Sequence, residues 1–235
     1  MSRPRRIRYG FALPDGSART LEFDFDPVDF RMLRAPVENP PFWTALGFCR
    51  CANCPLDEAS SPQCPAALQM APAIEPLKEL ASYDQVGVTV MEDERTVFAE
   101  TTAQQAMSSV LGLIMATAGC PWTDRLRPMA RFHLPFATEA ETVYRSICMF
   151  LLAREISGAN QPQGFAALEE LYRNLHVVNR DMSRRLGAVA STDPARNAMA
   201  LLDAVTTLVP AALDCSLDEL RPLFDAWETR ENSTI

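Results

Sequence analysis

The sequence predicts an α+β fold in which a small antiparallel sheet of two β-hairpins precedes a C-terminal helical bundle. Before residue 102 the apolar residues fall mainly in two pairs of short segments that flank turns, as the strands of hairpins do. From residue 102 they recur every three or four positions, as in amphipathic helices. We therefore expect one domain over 1–235, with a cysteine-rich loop at 43–81 lying between the two hairpins.

The first half of the chain carries the strand signals. Residues 6–13 and 19–26 flank the turn that begins at Pro14, and 85–90 and 96–100 flank an acidic turn. Between 19 and 26 the apolar residues alternate strictly with polar ones, which predicts one face toward the core and the other toward solvent. The turn between the two segments of each pair is short enough to join them as an antiparallel hairpin.

The second half, 102–229, carries the helix signals. Capping residues and apolar stripes predict helices at 102–118, 138–152, 164–189, 194–209 and 216–227, after a short helix at 65–70 inside the cysteine-rich loop. Pro210 is expected to end the helix that precedes it. Residues 230–235 are expected to be a frayed tail.

The composition excludes two classes of partner. A formal net charge of −8 argues against nucleic-acid binding, which needs a basic surface to neutralise phosphates. The longest apolar run, 107–118, is too short to span a bilayer, and no signal-peptide pattern follows the N-terminal arginines. We therefore expect a cytoplasmic protein without a membrane partner, in which thiols are kept reduced.

The cysteines carry the clearest functional signal. Residues 49–64 contain four of the seven cysteines, and closely spaced thiolates in one loop are typical of a metal or cluster site. Cys51 and Cys54 form a Cys-x2-Cys pair, and Cys64 stands at the start of the short helix, where a thiolate is stabilised. Cys148 and Cys215 are expected to be ordinary core residues.

The fourth ligand could be Cys49, Cys120 or His133. We favour Cys120 because Cys54, Cys64 and Cys120 are each followed by proline, a neighbour that recurs after the cysteines of iron–sulfur proteins. The predicted ligands are thus Cys51, Cys54, Cys64 and Cys120. The predicted cofactor is an iron–sulfur cluster, with 4Fe–4S favoured; zinc is the alternative, and cysteines that bind nothing are a third.

Arginines follow Cys120 in an irregular segment, 124–136. Arg127 and Arg131 could neutralise the negative charge of a tetrathiolate site or bind an anion. Their alternative role is to pair with carboxylates of neighbouring elements and fix the segment in place. His133, between two apolar residues, is expected more often as a half-buried histidine than as a ligand.

Motifs of common enzymes are missing. The sequence has no phosphate-binding loop, no dinucleotide fingerprint, no Gly-x-Ser-x-Gly and no His-Glu-x2-His, which makes an enzyme the less favoured reading. We expect an electron-transfer protein or a redox or metal sensor, with an unknown protein or redox partner. The alternative is a zinc-stabilised module for protein–protein interaction without catalytic activity.

Two segments resemble a known family. Cys51-Ala52-Asn53-Cys54-Pro55-Leu56 and Cys64-Pro65, together with Cys120-Pro121 and the segment 127–136, resemble a family of uncharacterised bacterial proteins. The resemblance covers about residues 43–136. It implies that the cysteine loop and the Cys120 segment belong to one unit, and it implies no activity or substrate.

Overall fold

The sheet is the one that the sequence predicts. The computed structural model describes residues 3–33, 37–158, 164–189, 193–214 and 220–226. Within these ranges four antiparallel strands lie in the order β2-β1-β3-β4, namely β1 (Arg5–Ala12), β2 (Ala18–Phe25), β3 (Gln85–Met91) and β4 (Thr96–Thr102). Each predicted hairpin forms, and the pairing of β1 with β3 joins the two into one sheet.

One face of the sheet is buried. Tyr9 in the centre of β1 stands opposite Leu21 of β2 and Val90 of β3, and none of the three is more than 8% exposed. Alternation of the side chains places every second residue of these strands on that face. The buried face packs against the helical half, so the predicted division into a wet and a dry face is confirmed.

The described residues include six helices. They are α1 (Pro65–Ile74), α2 (Ala103–Thr117), α3 (Arg127–Arg131), α4 (Glu139–Ser157), α5 (Ala166–Gly187) and α6 (Asp193–Asp214). The hydroxyl of Thr102 accepts the N–H of Gln105 to begin α2, and Thr138 and Glu141 form a complete capping box at the start of α4. The predicted α+β class is therefore confirmed, with helix starts close to where the caps placed them.

Two helices run through a proline. The prediction that Pro210 ends its helix is wrong, because α6 continues to Asp214, and α1 likewise extends past Pro72 to Ile74. A proline inside a helix costs about 3 kcal/mol. Burial of Val209 and Ile74 on the apolar faces of these helices offsets that cost.

The hydrophobic residues form two clusters that share α5 and α6. One cluster joins the sheet, α1 and α2 to the C-terminal half of α5, and the other joins α4 to the N-terminal half of α5. No helix in the described ranges is long and apolar enough to cross a membrane. Residues 216–219 and 227 of the predicted last helix and the whole tail lie outside the described residues, and within 220–226 Arg221–Phe224 forms a short 3-10 turn.

Candidate functional site

The cysteine loop is closed at its base by backbone hydrogen bonds. The N–H of Cys64 donates to the carbonyl of Thr44 at 2.8 Å, and the N–H of Leu46 donates to that of Pro62 at 2.9 Å. Ala45 and Gln63 form an isolated antiparallel bridge between them. Residues 47–61 thus form a loop whose two ends are held together, which limits the positions that its cysteines can take.

The other three predicted ligands influence the ionisation of Cys51. Burial, followed by the negative charges of Cys64, Cys120, Asp181 and Cys54, raises the pKa of the Cys51 thiol to about 12. Charges influence a pKa mainly over short distances, so these cysteines and Asp181 lie in the surroundings of Cys51. Cys49, which has a left-handed backbone with φ of 45°, is not among the thiols that act on Cys51.

Cys64 is the most buried of the four and stands directly before α1. Burial raises the pKa of its thiol, while the backbone amide of Ala67 and the guanidinium of Arg185 lower it. The side chain makes no capping hydrogen bond, but the amides of the first turn lie close enough to favour its thiolate. The start of α1 therefore opposes part of the cost of burying a negative sulfur here.

The turn between Cys51 and Cys54 is fixed by α5. The N–H of Cys54 donates to the carbonyl of Cys51 at 3.0 Å, which closes the turn. The N–H of Ala52, inside the turn, donates to the buried carboxylate of Asp181 at 2.8 Å. A buried carboxylate that accepts a backbone amide holds this turn in one orientation.

Asn53 ties the same turn to two further elements. Its side-chain amide donates to the backbone carbonyl of Asn174 on α5 at 3.1 Å. Its own carbonyl accepts the indole N–H of Trp122 at 2.7 Å, and Trp122 lies two residues after Cys120. This bond brings the Cys120 segment against the Cys51–Cys54 turn, as the resemblance implied.

Arg185 is a buried cation that acts on Cys64, as the buried carboxylate of Asp181 acts on Cys51. It is 1% exposed, and its guanidinium donates to the carbonyls of Trp43 at 2.6 Å and Ala45 at 2.7 Å. Its Nε has no hydrogen-bond partner, and no carboxylate within the described ranges forms an ion pair with it. Sequence reasoning missed both Arg185 and Asp181; the available signal was a charged pair four residues apart on the apolar side of a long helix.

The other sequence candidates lie elsewhere. Arg127 forms ion pairs with Asp124 at 2.7 Å and Asp29 at 3.4 Å, which is the structural role weighed above. Arg131 stacks on the rings of Phe30 and Phe132. Neither arginine appears among the charges that act on Cys51 or Cys64.

His133, the alternate ligand, is engaged by the sheet. Its Nε2 lies 2.5 Å from the hydroxyl of Tyr9, which also contacts the hydroxyl of Ser109 at 2.9 Å. Burial, followed by the charges of Arg145 and Arg95, lowers the pKa of His133 to about 3. His133 therefore makes a buried polar contact with Tyr9 at the face of the sheet.

Of the two remaining cysteines, the structure describes Cys148. Cys148 is exposed on α4, so the prediction of a core position is wrong for it, because it lies outside the narrow buried stripe of that helix. Cys215 lies outside the described residues. Among the described residues, no three histidine, cysteine, aspartate or glutamate side chains are close enough to hold one metal ion.

The protein has an α+β fold, and its cysteine-rich loop is hydrogen-bonded to the long helix α5. The chain belongs to the family described as a domain of unknown function (DUF6901), whose profile it matches over residues 7–225. This confirms the expected membership of an uncharacterised family; the cysteine pattern itself stays a prediction. No curated protein and no solved structure matches the chain.

Proposed function

We propose that Cys51, Cys54, Cys64 and Cys120 bind an iron–sulfur cluster, with 4Fe–4S favoured, and that the cluster serves electron transfer or redox or metal sensing. The observation that carries the proposal is Arg185, a buried cation without a carboxylate partner beside gathered thiols. An unpaired buried charge is costly, and a negatively charged thiolate cluster would compensate it.

The sequence around the thiols favours a cluster over zinc. Cys54, Cys64 and Cys120 are each followed by proline, a neighbour that recurs after the cysteines of iron–sulfur proteins. Zinc also accepts four thiolates, so the metal content of the protein distinguishes the two.

The exposure of the site fits exchange with a partner. Cys51, Cys54 and Cys120 are half-buried, so a cluster here would lie near the surface, where a redox partner protein could approach. The cytoplasm is the proposed compartment, because reduced thiols there are available to iron. We propose no catalytic reaction at this site.

The test is the metal content of anaerobically purified protein. We expect iron and sulfide in stoichiometric amounts and a broad absorption band near about 400 nm. Cys120→Ala should lose the iron, because one of four ligands is gone. The matched control Cys49→Ala changes a cysteine of the same loop and should keep it.

Two results would contradict the proposal. Retention of iron by Cys120→Ala together with its loss in Cys49→Ala would refute the ligand set. One zinc per chain and no iron would replace the cluster with the alternative function, a zinc-stabilised interaction module, whose fold should melt when a chelator removes the metal.

A further inference from the structure

A second feature of the molecule is a cavity of about 490 Å³ between the helices. Residues of β4, α2, α4, α5 and α6 line it, together with the segment that contains His133. Most of the lining is apolar, including Leu113, Leu126, Phe136, Leu175, Leu202 and Val205. This volume lies within the range of small-molecule sites, which are typically apolar with a few placed polar groups.

Arg145 is the one cation among the residues that line this cavity. Its guanidinium is half-buried and donates through Nη2 to the carbonyls of Met129 at 2.6 Å and Phe132 at 2.8 Å. No carboxylate of the described chain lies within ion-pair distance of it, because the nearby Glu141 is used in the capping box of α4. The other donors of this guanidinium are therefore available to an anion.

Asn179 is a second polar residue of the lining. It is 7% exposed, lines the cavity, and its side-chain amide makes no hydrogen bond within the described ranges. An amide that makes no protein hydrogen bond at the wall of a cavity can pair with solvent or with a polar group of a ligand. Glu100 is the one carboxylate among the lining residues, and it is exposed.

We propose that this cavity binds a small molecule with an apolar body and one carboxylate, with the carboxylate on Arg145 and the body among the leucines of α2, α5 and α6. A guanidinium suits a carboxylate because it donates two parallel hydrogen bonds. The apolar lining supplies the burial that makes an amphipathic ligand bind more tightly than a free carboxylate ion. The proposal is independent of the cysteine site and of its metal.

The test uses octanoate as the probe, with octanamide as its uncharged match of the same shape, both titrated calorimetrically into the full chain. Octanoate should bind saturably, and octanamide about tenfold more weakly, since it lacks the charge that Arg145 recognises. Arg145→Gln should remove this difference by weakening octanoate alone. Acetate, which has almost no apolar body, should give no saturable binding.

Gly112 provides a pair of variants that keeps the test decisive. A Cβ at this position would meet only Leu202 Cδ2, at 3.4 Å, so a side chain on α2 here projects into the cavity. Gly112→Leu should fill the space and weaken octanoate at least tenfold, while Gly112→Ala should bind as the wild type does. Both raise helix propensity, and thermal unfolding should show both to be folded.

Three outcomes would overturn the proposal. They are the absence of saturable octanoate binding, unchanged binding by Gly112→Leu, and equal affinity for octanoate and octanamide. The last would leave an apolar site that does not recognise anions, which contradicts the role given to Arg145. Because Arg145→Gln also loses hydrogen bonds to two carbonyls, the Gly112 pair decides the matter if that variant fails to fold.

Discussion

A histidine buried in its neutral form should make this protein sensitive to acid. His133 is 8% exposed, and burial, followed by the positive charges of Arg145 and Arg95, lowers its pKa to about 3. The unfolded chain binds the same proton with a pKa of about 6.5. Because the folded state binds fewer protons, its stability is complete above pH 6.5 and declines as the pH falls from there toward 3.

The size of the loss follows from these two values. At pH 5 the folded histidine is still neutral, whereas in the unfolded chain it is almost fully protonated. The 1.5 pH units below 6.5 correspond to a loss of about 2 kcal/mol in the free energy of unfolding, at about 1.4 kcal/mol per unit. This is a substantial part of the 5–15 kcal/mol or so that stabilises a typical domain.

The assay is urea unfolding at pH 8 and pH 5, followed by tryptophan fluorescence, for the wild type and for His133→Gln. Glutamine retains an amide that can reach the hydroxyl of Tyr9 but does not titrate. The wild type should lose about 2 kcal/mol more than the variant between the two pH values. Burial raises the pKa of Glu92, which gives an opposite dependence, but one common to both proteins.

Equal losses in the two proteins would refute this reasoning, because the histidine would then not be held neutral by its surroundings. The chain has one other histidine, His176, which lies 2.9 Å from the carboxylate of Asp203. His176→Gln, measured in the same way, reports what that residue contributes. The pH-dependent loss of stability assigned to His133 is compared with the loss measured for His176.

Two further predictions concern stability at neutral pH. Asp181→Leu removes the acceptor of the Ala52 N–H and should lower the free energy of unfolding by about 1–3 kcal/mol, measured by urea unfolding; an unchanged value would mean that α5 does not hold the turn. Leu111→Ala on α2, where the leucine is 0% exposed, should cost about 2–5 kcal/mol in the same assay. Leu151→Ala on α4 is its exposed control and should change stability by less than about 0.5 kcal/mol.

Local signals were sufficient for most of the fold. The strands and the starts of α2 and α4 lie within a residue or two of their predicted limits, because alternation and capping boxes act between near neighbours in sequence. The prediction failed at Pro210, where burial against another helix outweighs a local rule. Packing between distant elements has no signature in a short window of sequence.

The same distinction separates what was predicted of the cysteine site from what was missed. The Cys-x2-Cys spacing and the Cys-Pro steps are local, and the choice of four ligands that rests on them stays a prediction. The contact of Ala52 with Asp181 spans 129 positions, and that of Arg185 with Trp43 spans 142. Arg127 and Arg131 were predicted to act on the cysteine site because they follow Cys120 closely in sequence. In the structure Arg127 pairs with Asp124 and Asp29, and Arg131 stacks on aromatic rings.

Helix α5 explains why both candidate sites depend on residues that a simple amphipathic pattern would not select. Tyr172, Leu175 and Asn179 line the cavity, whereas Asn174, Asp181 and Arg185 hold the cysteine loop. With about 100° per residue, Asn179 and Asp181 point about 200° apart around the helix axis. The cavity and the cysteine loop thus contact opposite sides of α5. The buried polar residues of the helix serve these two contacts, and its apolar stripe packs into the core.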